Sequence, residues 1–287
     1  YCGEGYSDAN FRYSDTEAAG KRMKQLFRDL KNKKFSDEIK RIDNWILSRL
    51  QTRISETTDH YQNQRTRSAI SSGFFDILND LKWYENRAGK NFGPGYKEAL
   101  LTLVDLMTPI IPHFAEEVNE KIRKEKIFAS LRAFPTANKK LINKKIEIEE
   151  ELVKNVKVDI DGIFSAIKQQ EKKKPKTIEI FVAPAWMYKI LNIRRKKPDN
   201  LIKSIMEHDD IKKNGNKAVK YAQKLTKNPG FDLKITSNAE FDALTDAIEF
   251  YKHEYNAQEV IISKAAKSNH QKAKVAEPGR PGIAIEF

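Results

Sequence analysis

Asp43-Asn-Trp-Ile-Leu-Ser-Arg-Leu50 and, about sixty residues on, Pro109-Ile-Ile-Pro-His-Phe-Ala-Glu-Glu-Val118 are the stretches from which the fold is read. In the first, Ile46 and Leu50 fall on a stripe with Ile39, Ile42 and Ile54, the three- and four-residue spacing of a helix with one apolar face. Ser36 with Asp37 and Glu38 reads as its N-cap and first-turn acids. Upstream, Ser14 with Asp15 and Glu17 predicts an earlier helix carrying Met23, Leu26, Phe27 and Leu30, ended by the lysine-rich break at 32–34. Downstream, Ile70, Phe74, Ile77, Leu81 and Tyr84 predict a third helix, and the glycine- and asparagine-rich 88–95 reads as a connecting loop. A fourth helix starts near Tyr96 and runs through Leu100, Leu103, Val104 and Met107. Four long amphipathic helices with short connections predict an all-α, up-and-down bundle over 15–133.

Within the two stretches, residue chemistry points first to structure. Trp45 at helical spacing reads as a core side chain. Asp43 and Arg49 are six apart, a spacing that does not bring them face to face, so each needs its own partner. His113, between Pro112 and Phe114, reads as a packed or capping residue, not a catalytic one.

The second half changes pattern. Residues 134–150 are lysine-rich with few large apolar groups and read as a linker. Helical spacing returns at 152–170 through Val156, Ile160, Ile163, Phe164 and Ile167, and Glu171-Lys-Lys-Lys-Pro175 breaks it. Thr177 to Ala183 alternates as a β-branched strand, after which Pro184-Ala185-Trp186 opens a helix. Helices are expected at 200–208 and 210–226, stopped by Asn228-Pro229-Gly230, and at 241–255 on Phe241, Leu244, Ile248 and Tyr251. Strands at 258–263 and 282–287 complete a small α/β domain over 151–287.

The chain of 287 residues carries a formal charge of +13, with an isoelectric point near 9.5. That balance favours a polyanionic partner, most economically nucleic acid, with an anionic membrane surface as the rival. Residues 1–150 hold 27 basic against 22 acidic residues, 151–287 hold 26 against 18, and 171–230 alone carry a net +10, so the footprint is C-terminal. Lys264, Lys267, His270, Lys272, Lys274 and Arg280, in a Gly/Pro/Ala-punctuated loop between the last two strands, are candidates for RNA contact, with Arg49 a further cation. Ile283, Ile285 and Phe287 of the closing strand could offer main-chain groups to bases. No run of about 18 apolar residues spans a bilayer and no charged-then-apolar leader opens the chain, so an unexported, cytoplasmic protein is expected. The single cysteine, Cys2, leaves no internal disulfide or cysteine-cluster metal site, and no metal is expected.

In order and separation, the two opening stretches resemble the signatures of the anticodon-binding helical bundle in class I aminoacyl-tRNA synthetases of the leucyl, isoleucyl and valyl group. Ile127-Phe-Ala-Ser-Leu-Arg-Ala-Phe-Pro135 is similar to the segment that closes that bundle, with Phe134 where relatives have tryptophan. Val118-Asn119 replaces the Leu-Trp that commonly follows Ala-Glu-Glu. Ile180-Phe-Val-Ala-Pro-Ala-Trp186, a basic helical middle, and Pro278-Gly-Arg-Pro-Gly-Ile-Ala-Ile-Glu-Phe287 resemble the C-terminal extension of archaeal-type leucyl-tRNA synthetases. The resemblance implies a C-terminal part in which Asp43, Trp45, Arg49, Pro112, His113 and Phe114 hold the bundle together. It also implies that the last residues approach the long variable arm of tRNA(Leu), in a monomer. The chain opens on Tyr1 and not on a methionine and is read as a fragment, and the resemblance implies that residues 1–14 are the exit from a catalytic domain.

No glycine-rich phosphate loop, His-Glu-x-x-His, cysteine pair or Gly-x-Ser-x-Gly occurs, nor do the adenylation motifs of the His-Ile-Gly-His and Lys-Met-Ser-Lys-Ser type. No catalytic residue is therefore expected in this span, and ATP with Mg and leucine are expected only in a catalytic domain outside it. The alternatives are the equivalent tail of an isoleucyl-, valyl- or methionyl-tRNA synthetase, or a stand-alone RNA-binding or scaffold module.

Overall fold

The computed structural model describes residues 12–167, 174–196, 198–228, 230 and 232–287. The expected catalytic-domain exit, apart from its last residues, lies outside the described residues, as do Cys2, the 171–173 part of the helix break and Pro229. The chain forms two compact units, 1–147 and 148–287.

The first unit is helical. Helix α1 (Tyr13–Asn32) buries Leu26 and Leu30. Its N-cap is Arg12, and Ser14, expected to cap, lies inside the helix and bonds the neighbouring Asp15. Helix α2 (Arg41–Gln62) is the centre of the unit and buries Ile42, Trp45, Ile46, Leu50 and Ile54 on one face. It starts later than expected: Lys40 is the N-cap, and Asp43 at N3 reaches back to accept the Lys40 N–H at 3.0 Å, half of a capping box. Ser36 instead accepts the Glu38 N–H at 3.1 Å in the preceding turn, and Ile39 is 63 % exposed, outside the stripe.

The third helical run is α3 (Thr66–Ile70), a π-helical turn (Ser71–Phe75) and α4 (Asp76–Ala88), placing Phe74, Ile77, Leu81 and Tyr84 in the core. Helix α5 (Pro94–Met107) begins inside the expected loop, with Gly93 as N-cap and Pro94 at N1, where a missing N–H costs nothing. Leu100, Leu103, Val104 and Met107 pack from α5 into the same cluster as Trp45 and Leu50. Full burial of each such aliphatic side chain contributes roughly 1.5–3 kcal/mol. Helix α6 (Pro112–Val118) follows, and its Glu116 carboxylate accepts the Ala129 N–H at 2.8 Å, which fastens the closing segment. That hydrogen bond is the main reason the Glu116 carboxyl sits below its ordinary pKa. Phe134, the residue in place of tryptophan, stacks edge-on against Tyr61 with centroids 6.0 Å apart.

Part of the expected linker is helix. α7 (Lys144–Ile167) starts where Asn143 accepts the Ile146 N–H at 3.2 Å, and its stripe begins at Ile146, ahead of Leu152, Val153, Val156 and Ile160. The lysines of 139–145 hid that start, although Asn143 followed by Glu147 is a usable cap signal.

The second unit is built on a three-stranded sheet in the order β2-β1-β3. β1 (Thr177–Val182) pairs in parallel with β2 (Glu259–Lys264) and antiparallel with β3 (Gly282–Glu286), in register Ile180↔Ile262 and Ile180↔Ile283. Helix α8 (Ala185–Arg195) follows β1, with Pro184 at its N-cap. The basic middle is three helices, α9 (Leu201–Met206), α10 (Asp209–Lys212) and α11 (Gly215–Lys227), so the helix expected at 210–226 is broken at Lys213 and Asn214. The helix expected at 241–255 starts four residues earlier, under a Thr236 cap on the Ala239 N–H, and divides at Ala247 into α12 (Ser237–Asp246) and α13 (Ile248–Tyr255). Tyr251 and Tyr255 of α13 donate to the Val153 and Lys157 carbonyls of α7, both at 3.0 Å. Among the described residues, no helix is long and apolar enough to cross a membrane.

Candidate nucleic-acid interface

The candidate cations divide between the two units. Arg49 belongs to the first, where its Nε lies 3.5 Å from Asp80 Oδ2. Arg53 shares Asp80 at 3.2 Å and also reaches Asp76 at 3.1 Å and Glu56 at 3.0 Å. Burial works against the Arg53 charge, but Asp80 and Asp76 outweigh it and hold the guanidinium above its ordinary pKa. Arg49 is therefore engaged within its own unit, and Asp43 finds separate partners, as their spacing required. Of the three residues of the second motif expected to brace the bundle, Pro112 and His113 are instead exposed on the first turn of α6 and Phe114 packs against the core, which the motif enters through the fully buried Ala115 and Val118.

The other candidates follow one another along the segment from β2 to the last residue. Lys264 ends β2, and its Nζ donates to Asn238 Oδ1 at 3.2 Å while lying 5.4 Å from the centre of the Phe241 ring. Lys267 closes a 3-10 turn (Ala265–Lys267) and is exposed. His270 lies flat on Phe181, centroids 5.3 Å apart, and its Nδ1 accepts the Lys272 N–H at 3.1 Å, capping the short α14 (Gln271–Lys274). That bond commits Nδ1 as an acceptor and leaves Nε2 of the exposed ring as the donor that an RNA could meet. Lys272, Lys274 and Arg280 are exposed and have no ion-pair partner among the described residues. The expected open loop is thus two short helical turns closed by a tight turn, in which Arg280 N–H donates to Glu277 O at 2.8 Å. Gly279, at φ 74°, donates its N–H to the buried Glu240 Oε2 at 2.9 Å.

Of the terminal residues, Ile283 is 6 % exposed and belongs to the core, so only its main chain could face a ligand. Ile285 is half-buried opposite Ile178. Phe287 is 40 % exposed and meets Phe164 edge-on at 6.0 Å. As an edge strand, β3 leaves one set of main-chain groups turned away from β1.

Sequence reading missed a cleft of about 470 Å³ beside β2, lined by Glu179, Phe241, Ser263, Lys264, Lys267 and Ser268. Ser263 Oγ donates to Glu179 Oε1 at 2.9 Å. The available signal was Glu179 itself, a carboxylate between Ile178 and Ile180 in an otherwise apolar strand. Phe241, read as a core position, is half-buried.

Residues 43–181 match the anticodon-binding domain of tRNA ligase. The chain is 35 % identical to leucine–tRNA ligase of Pyrococcus horikoshii over 87 % of its own length and 26 % of the relative's. With leucine–tRNA ligase of Methanocaldococcus jannaschii the identity is 32 % over 99 % of this chain and 30 % of the relative. For the Methanococcoides burtonii enzyme the values are 30 %, 99 % and 31 %. The chain thus spans between a quarter and a third of the length of these relatives. An anticodon-binding domain match that runs on into β1, and similarity to leucine–tRNA ligases over 87–99 % of the chain, lead to one conclusion: residues 43–181 form an anticodon-binding domain of the tRNA-ligase type, within a chain similar along nearly all its length to part of the archaeal leucine–tRNA ligases.

Proposed function

We propose that this chain is the tRNA-binding and tRNA-orienting part of a leucine–tRNA ligase, a protein that joins leucine to tRNA(Leu) with ATP in the cytoplasm and acts as a monomer. In this reading the helical unit is an up-and-down bundle that supports the anticodon side of the tRNA, and the α/β unit meets the long variable arm. ATP with Mg and leucine are handled by a catalytic portion outside residues 1–287. The single observation that carries the reading is the similarity to leucine–tRNA ligases over nearly the whole chain, α/β unit included. Lys267, Lys272, Lys274 and Arg280 support it, since exposed cations without internal partners bind phosphates at little cost, while the edge of β3 and Phe287 would meet bases. The mechanism is positioning: binding energy spent on the tRNA body becomes orientation of its acceptor end at the remote catalytic site.

The test is binding of the chain to tRNA(Leu), to tRNA(Leu) with a shortened variable arm, and to tRNA(Ile), across a salt series. Preference for intact tRNA(Leu) that persists at higher salt is expected. Equal and steeply salt-dependent binding to all three would reduce the α/β unit to a nonspecific phosphate-binding surface and overturn the variable-arm reading.

A further inference from the structure

Resting on the tRNA-binding reading above, we propose that the cleft beside β2 binds one unpaired RNA nucleotide, its base held by Phe241 and Glu179 and its phosphate by Lys267. The cleft is distinct from the terminal strand, because β2 and β3 are opposite edges of the sheet. At about 470 Å³ it falls within the range of small-ligand sites, about 300–1,000 Å³.

Each lining group has a use that packing alone leaves open. The Phe241 ring is half-buried, so one part is fixed by α12 while the rest faces the cleft. Aromatic faces of this kind stack on unpaired bases of any sequence. Lys264 already holds a cation over that ring, and an exposed contact of this type is weak enough for the ammonium to exchange onto a phosphate when a base enters. Lys267 has no ion-pair partner among the described residues, so nothing within the unit neutralises it.

Glu179 supplies selectivity. A carboxylate repels the phosphate backbone, so it must meet the base and not the chain that carries it. Ser263 fixes Oε1, and Oε2 has no partner among the described residues. Carboxylate oxygens only accept hydrogen bonds, so they favour a base that presents N–H donors. Guanine offers two adjacent donors on its Watson–Crick edge, N1–H and N2–H, and so fits a carboxylate best; uracil offers one. An unpaired guanosine is the nucleotide this chemistry selects.

The test uses the whole chain with tRNA(Leu) and with single-stranded uridine tracts that do or do not carry one central guanosine. Phe241→Ala and Lys267→Ala should each weaken binding of the guanosine-containing tract about tenfold. Lys267→Ala should also lower the slope of log affinity against log salt by about 0.7, and Phe241→Ala should leave it unchanged. Glu179→Gln should narrow the preference for guanosine over uridine while retaining affinity for the all-uridine tract. Thermal melts matching the parent establish that each variant is folded. If the parent binds tRNA but does not distinguish the tracts, or the folded variants bind both RNAs as the parent does, the cleft is overturned and the wider tRNA reading stands. If the parent fails to bind tRNA at all, both fall.

Discussion

At the scale of single residues, Asp43 is the most demanding position in the helical unit. Its carboxylate is fully buried, and three donors replace its hydration: Tyr84 O–H and Gly95 N–H on Oδ1, each at 2.9 Å, and Lys40 N–H on Oδ2 at 3.0 Å. Burial, reinforced by the neighbouring carboxylate, raises the Tyr84 hydroxyl above the usual phenol pKa, so it stays a donor. One side chain thereby joins the starts of α2 and α5 to the last turns of α4. Asp43→Ala strands all three donors and should cost at least about 3 kcal/mol, at ~1–3 kcal/mol for each buried donor left unpaired. Asp43→Asn keeps the shape and one oxygen and should cost less, about 1–2 kcal/mol. Urea denaturation followed by helical circular dichroism reads both, and equal losses would show that the hydrogen bonds are not what holds the junction. Gly95 permits the approach, since a Cβ there would lie 2.9 Å from the Asp43 carbonyl oxygen, backbone that cannot swing aside. Gly95→Ala should therefore destabilise by about 1–3 kcal/mol, the range for overpacking; a midpoint unchanged from the parent would contradict the rigid contact. Trp45 and the α2 stripe were legible in sequence because their spacing is local. The partners of Asp43 were not, because they lie 41 and 52 positions away and only folding brings them together.

Elements were legible where periodicity was strong and uninterrupted. The three strands of the sheet were found by β-branched alternation, and α2, α4 and α5 by their stripes. What failed was placement of ends: Ser36 looked like a cap but Asp43 does the capping, and lysines masked the start of α7. Nor did periodicity reveal the breaks at Lys213 and Ala247, since a helix can stop and restart without losing its apolar side. One element carries a titration that no local pattern of residues signals. Glu240 on α12 is fully enclosed, with Oε2 on the Gly279 N–H and Oε1 unpartnered. Burial raises its carboxyl from 4.5 to about 7, against the opposing pull of Gly279 N–H and of the nearby Tyr188 hydroxyl, which is too poorly placed to form a bond. Between those values the folded unit keeps a proton that the unfolded chain has released, so stability falls as pH rises through the window. The loss is complete above about pH 7 and is on the order of 3 kcal/mol. Glu240→Gln should remove it, giving a gain of that order at pH 8 and almost none at pH 4.5. Hydrogen exchange of the β1 amides reports on this unit alone, and a variant no more protected than the parent at pH 8 would reject a charged, strained Glu240.

At the scale of the whole molecule, charge and sheet topology together decide how the tRNA-orienting proposal has to be tested. Removing the last ten residues looks like the direct experiment, but β3 supplies Ile283 to the core and pairs along β1 from Thr177 to Phe181. Its loss would expose one side of β1 and leave a two-stranded sheet, so a fall in tRNA charging would report unfolding as readily as weaker RNA binding. The cations are the better target. Lys272, Lys274 and Arg280 are exposed and without ion pairs among the described residues, so replacing them with alanine removes phosphate affinity and little else. On the proposed function, the ligase that contains this chain should retain leucine-dependent ATP–pyrophosphate exchange in the triple variant, because that reading puts adenylation outside residues 1–287. The KM for tRNA in charging should rise about tenfold or more, and the salt slope of tRNA binding should fall by about 0.7–0.9 for each phosphate no longer neutralised. An equal loss of exchange and charging would mean that these side chains act on the catalytic portion and not on tRNA. An unchanged KM would move the RNA surface elsewhere on the basic unit, to the lysines of α9 to α11 that account for much of its excess charge.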